Sequence, residues 1–186
     1  NGLQFEDKIL LAVLTDDAIS LEQQLKAKPE AIYNKYTLPC TFTPLIDASL
    51  LHLCAEYNHV DSANILLKYG ADVNTQAGLD DHGFGGQSPV FHTVNQHNNN
   101  SKEMLELLLS HGADLTLTVK GLIWGRGYDW ETFIPSVNPI SYAMMGLLPQ
   151  FQRKEAQIYE VVSLLQKVRY GSEYRAGNVP NRYLVI

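Results

Sequence analysis

The feature that most constrains this chain is an internal repeat. Ser49 to Asn74 reads SLLHLCAEYNHVDSANILLKYGADVN, and Ser88 to Thr116 reads SPVFHTVNQHNNNSKEMLELLLSHGADLT. A self-similar unit of this size cannot bury its apolar face alone, so copies must stack on one another. Each copy opens on a hydroxyl residue, runs through a short helix and then a longer amphipathic one, and closes on Gly-Ala-Asp (Gly70-Ala71-Asp72 and Gly112-Ala113-Asp114). Ser49 and Ser88 suit a helix N-cap, and Pro89 suits the first helical position, where an N–H is not needed. Ile65, Leu66 and Leu67 supply the buried stripe of one second helix; Leu105, Leu107, Leu108 and Leu109 supply that of the next. Gly70 and Gly112 stand where each helix needs a left-handed terminating residue.

These residues resemble the ankyrin repeat. Ser49 to Asn74 matches the length of its consensus without a gap, with His52 at the histidine of the Thr-Pro-Leu-His box, then Leu66-Leu67 and Gly70-Ala71-Asp72-Val73-Asn74. Leu50 departs from the consensus proline. In the next copy Ser88-Pro89-Val90 fits, Phe91 replaces the histidine, and three extra residues around Asn98-Asn99-Asn100 lengthen the inter-helix turn. Weaker copies flank these: Lys8 to Leu25, turning at Asp16-Asp17, and a unit opened by Asn138-Pro139-Ile140 with Ile158, Val161, Val162, Leu164 and Leu165 in its second helix. Thr43-Pro44-Leu45 reads as the turn ahead of the second repeat. The resemblance implies an all-α fold, an ankyrin-type helix-turn-helix repeat solenoid with long inter-repeat loops. It predicts one domain over 1–186, with repeats near 6–34, 43–75, 84–117 and 134–170 and a tail at 171–186.

Departures from the period place the insertions. Gly70 to Gly112 spans 42 residues, against about 33 for this kind of repeat. The excess falls in the Asn run and in 76–87, QAGLDDHGFGGQ. A longer loop occupies 119–137, VKGLIWGRGYDWETFIPSV. Insertions in such arrays collect on one face, often the binding face. The second loop concentrates Trp124, Arg126, Tyr128, Trp130 and Phe133, residue types that anchor interfaces. The resemblance also implies a concave groove, toward which Glu56, Tyr57, Asn95 and Gln96 project, with Phe84 and Gln87 on the turn before a repeat. Loop and groove are expected to form one continuous partner-binding surface.

Composition limits the alternatives. No apolar run approaches the roughly 18 residues of a membrane span. Two cysteines, Cys40 and Cys54, make neither a disulfide scaffold nor a zinc ribbon, and leave a single pairing open. The net charge of −6 argues against a general nucleic-acid binder. Residues 1–116 hold 15 acids and 6 bases, whereas 117–186 hold 5 acids and 8 bases, including all five arginines. Such asymmetry can steer a charged partner.

The expected function is therefore non-catalytic binding of a protein partner by a monomer, with no cofactor, no metal, no nucleic acid and no membrane. One alternative is an immunity-type inhibitor of a basic toxin or enzyme. Another is a metal-dependent enzyme using the 80–92 loop, where Asp80, Asp81, His82 and His92 could ligate a divalent ion; against it, adjacent residues rarely converge on one ion. The Gly-rich stretch lacks a Walker lysine or dinucleotide spacing. The sequence starts at Asn1, which predicts an upstream tag, start methionine or leader; a cytoplasmic location is expected, with secreted or periplasmic placement left open.

Overall fold

The computed structural model describes residues 6–38, 43–145 and 153–172. Helix α1 (Lys8–Leu14) is capped by Asp7, whose carboxylate accepts from the amides of Ile9 and Leu10 at 3.1 and 3.0 Å. Asp17 caps α2 (Ala18–Ala27) in the same way through the Ser20 amide. A 3-10 turn (Pro29–Tyr33) leads into β1 (Lys35–Leu38), which pairs antiparallel with β2 (Leu45–Ser49). Helices α3 (Leu50–Tyr57) and α4 (Val60–Lys68) follow as a packed pair, and α5 (Lys102–Ser110) packs on α4. The chain then forms β3 (Val119–Trp124), β4 (Thr132–Val137), α6 (Pro139–Met144) and α7 (Glu155–Tyr170).

The helices lie in two rows. In the inner row α1, α3, the turn at Pro89–His92 and α6 touch in succession; in the outer row α2 packs on α4 and α4 on α5. Between the rows lies one continuous core that includes Leu21, Leu25, Leu53, Leu66, Phe91, Leu105, Leu108 and Leu165. Each such fully buried leucine stabilises the fold by roughly 1.5–3 kcal/mol of transfer free energy.

The two closest copies end identically. The amides of Gly70 and Ala71 donate back to the carbonyls of Leu67 and Leu66, and those of Gly112 and Ala113 to Leu109 and Leu108. These paired bonds are Schellman caps, with Gly70 at φ 89° and Gly112 at φ 82°. Asn74 ties the two closing turns together, donating to the Gly112 carbonyl at 3.1 Å and accepting from the Asp114 amide at 2.7 Å.

The all-α solenoid expected from the sequence is overturned: the chain is mixed α/β, with two antiparallel two-stranded sheets. Both loops read as insertions hold paired backbone. Residues 119–137 are the β3–β4 hairpin, with Leu122 opposite Ile134 and Trp124 opposite Thr132. Residues 77–87 form a narrower hairpin, closed by Ala77 donating to Gln87 at 2.9 Å and Asp80 donating to Phe84 at 2.8 Å. Long connections left irregular would carry unpaired N–H and C=O groups, and pairing them is the general solution. The β-branched and aromatic content of 119–124 and 132–137 favours strands.

The second copy also opens differently from expectation. Its first helix is only a 3-10 turn, Pro89–His92, followed by another at His97–Asn99. The Thr93 hydroxyl bonds the Val90 carbonyl at 2.8 Å, the local competition that discourages helix continuation. Asn98 and Asn99 adopt left-handed φ of 51° and 55°. The Asn run instead bridges to the last unit, where the Asn99 side chain donates to the Gln157 carbonyl at 2.8 Å.

Candidate functional site

Three hairpins sit side by side as a ribbon along the helix rows. The Gly78 amide donates to Ile46 of β2 at 2.7 Å, and the Gly85 amide donates to Gly121 of β3 at 3.0 Å. The close approach requires glycine at position 85: its φ is +113°, and a Cβ there would lie 2.5 Å from the Gly78 carbonyl oxygen.

Asp80 locks the middle hairpin to the last one. Its carboxylate accepts from the amides of His82 (2.8 Å) and Phe84 (2.9 Å) and pairs with the Arg126 guanidinium. Burial opposes ionisation of Asp80, but the Phe84 and His82 amides and Arg126 outweigh it and hold the carboxyl below its ordinary range. Phe84 packs on Phe133 of β4, ring centres 4.7 Å apart. The β3–β4 hairpin is also anchored where its strands enter the turn. The Trp124 indole donates to the Tyr142 hydroxyl at 2.5 Å, and that hydroxyl meets Thr43 Oγ1 at 3.0 Å. Tyr142 is fully buried, and burial drives its phenol far above the usual value.

Beyond these anchors the hairpin presents aromatic side chains to solvent. Tyr128 and Trp130 stack with centroids 5.2 Å apart and planes 17° apart, yet remain 58% and 46% exposed. Phe133 and Leu79 are also exposed. The Trp130 ring lies against Gly125, where a Cβ would collide with it. The Glu131 carboxylate closes the turn by accepting from the Gly127 amide at 2.8 Å. Pro135 in β4 lacks an N–H, which blunts strand addition at that edge.

The residues expected in the groove behave differently. The Glu56 carboxylate, with its side chain only 7% exposed, accepts from His92 Nδ1 at 2.7 Å. Gln87 is buried and donates to the Pro44 carbonyl. Asn95 accepts from Arg153 at 2.8 Å, and Gln96 donates to the His92 carbonyl at 2.7 Å. Tyr57 is more open, its ring 5.8 Å from that of His59. Of the groove and turn candidates, Phe84 is the one joined to the aromatic hairpin.

Sequence reading missed Arg153, a buried staple. Its guanidinium donates to the carbonyls of Val94, Ala143 and Met145 as well as to Asn95. Burial lowers its pKa to about 10. A charged residue two positions before the last helix carries no local pattern that announces burial.

His52 serves structure. The Ser49 amide donates to Nδ1 at 3.1 Å, leaving Nε2–H for the Gln87 carbonyl at 2.9 Å. Burial, then the neighbouring His92, depresses its pKa to about 3, so the ring is neutral. Burial likewise raises the Cys54 thiol, which is free; Cys40 lies outside the described residues. The 80–92 metal reading fails on geometry: Asp80 is engaged by two amides and Arg126, and His92 is turned to Glu56. Among the described residues no three His, Cys, Asp or Glu side chains gather as a metal site, and no helix is long and apolar enough to cross a membrane.

Residues 42–77 match the family model of the ankyrin repeat, which agrees with the resemblance carried by Ser49 to Asn74. No curated protein matches the chain.

Proposed function

We propose that this chain is a non-catalytic protein-binding module whose partner docks on the tip of the β3–β4 hairpin. The observation that carries the reading is the stacked, partly exposed Tyr128–Trp130 pair on a hairpin held at Gly121, Trp124 and Arg126. Large aromatics exposed on an anchored scaffold fit an interface, because little ordering entropy is lost when a partner covers them. The ankyrin match at 42–77 supports an interaction role for the framework. In this reading the repeats near 6–34, 43–75, 84–117 and 134–170 form one monomeric platform.

Trp124, Arg126, Phe84 and Gln87 are then positioning residues, and Tyr128 and Trp130 are the contact residues. Glu56, Asn95 and Gln96 hold the inner row together, and Tyr57 extends the accessible surface beyond it. The Glu56–His92 pair and Cys54 serve packing in this reading: the pair is closed from solvent, and burial raises the Cys54 thiol.

The test is affinity capture from lysate of the source organism with wild type, a Tyr128→Ala/Trp130→Ala variant and a Tyr57→Ala variant. The expected result is a partner kept by wild type and Tyr57→Ala and lost by the tip variant at unchanged thermal stability. A partner indifferent to the tip would overturn the docking site.

A further inference from the structure

The hairpin tip combines partly exposed aromatic side chains with an excess of acidic residues. Residues 79–86 and 124–133 contain four acids (Asp80, Asp81, Asp129, Glu131) and one base, Arg126. Arg126 is neutralised by Asp80, whose side chain is only 4% exposed. The carboxylates left facing solvent are Asp81, Asp129 and Glu131, and the last two flank Trp130 in sequence. The nearest other cation in the hairpin, Lys120, lies four residues before Trp124, roughly 13 Å along the strand.

We propose that the tip selects an arginine- or lysine-bearing segment of its protein partner. A guanidinium or ammonium group stacks on the Tyr128 ring, which is backed by Trp130 and 58% exposed, where the negative ring face attracts it, and Asp129 supplies the countercharge. Arginine fits better than lysine because its planar cation also stacks. An acidic or purely apolar segment would place its groups against these carboxylates without compensation. The proposal rests on the docking reading above and narrows it to one partner chemistry.

The chain carries two tryptophans, Trp124 and Trp130, so two indole N–H signals report on it by NMR. Trp124 is held by Tyr142 and serves as the internal control. The full chain is titrated with a peptide of alternating Arg and Gly, then with the same peptide carrying Glu in place of Arg. The expected result is a shift of the Trp130 signal by the Arg peptide only, with Trp124 unmoved. Asp129→Asn should weaken binding about threefold, the scale of an exposed ion pair, and Tyr128→Ala about fivefold, the scale of an exposed cation–π contact. Equal response to both peptides, no response to either, or unchanged affinity in Asp129→Asn would overturn cation selection. Loss of the captured partner in Tyr128→Ala/Trp130→Ala, together with indifference to the Arg peptide, would keep the docking site and remove this inference alone.

Discussion

The units at 49–74 and 88–116 end alike and begin differently. Both close on a Schellman cap at Gly70 or Gly112, followed by an aspartate that accepts from the amide two residues on. At the start, Ser49 and His52 form a capping box and α3 runs to Tyr57. Ser88 is followed by Phe91 in place of the histidine, and the helical segment stops after one 3-10 turn. An ending depends on one residue's conformational freedom. An opening depends on a bonded network plus eight residues willing to stay helical, and Thr93 to Asn100 are poor in that respect.

The largest break in this comparison should come from His52→Ala. It removes the Ser49 and Gln87 partners from a fully buried site, and a cost of about 3 kcal/mol follows from unpaired polar groups and the cavity together. Urea denaturation measures it. Phe91→Ala in the other unit should cost a similar amount through lost packing alone, without the pH dependence described next.

That pH dependence sharpens the contrast. The folded His52 pKa is depressed from 6.5 to about 3, so the unfolded state binds more protons between those values. The stability contributed by the neutral ring is complete above about pH 6.5 and is lost as pH falls toward 3. Urea midpoints across that range should fall less steeply for His52→Gln than for wild type.

Gly70→Val and Gly112→Val should each cost about 2 kcal/mol, because a β-branched residue resists the left-handed region. Neither site offers a clash within 4 Å, so the strain is purely backbone and the two losses should agree. Unequal losses would mean that the shared ending is not equivalent. The smallest stability effect belongs to Trp130→Ala, expected within about 0.5 kcal/mol because the side chain is half exposed. Loss of the fold on thermal melting would instead make the tip a private core.

Legibility in the sequence followed the range of the interaction. The cap at Ser49 and the Gly-Ala-Asp endings are contacts within four or five residues, and the repeat pattern exposes them. The hairpin at 119–137 carries a readable signal, β-branched and aromatic residues on either side of Gly125 and Gly127, but the same aromatic residues suit a binding loop, and six-residue strands are too short for composition to separate the two. Repeat register points Glu56 toward a groove and sets Gln87 on a turn, yet both side chains are covered, because register locates a backbone position and says nothing of what packs over it.

By itself the sequence determined the repeated unit and its closing turns, since short-range hydrogen bonds depend on neighbours along the chain; of the expected stripes Leu66, Leu105 and Leu108 are buried, together with Ser62, Ala63 and Met104, whereas Ile65, Leu67, Leu107 and Leu109 are only half-buried. Only the tertiary structure decided that two insertions join through Asp80 and Arg126, 46 residues apart, that Glu56 closes on His92, and that Tyr128 and Trp130 stay outside. Those outcomes depend on which distant groups arrive at van der Waals and hydrogen-bond distance once the rows stack, and the sequence carries no local mark of that arrival.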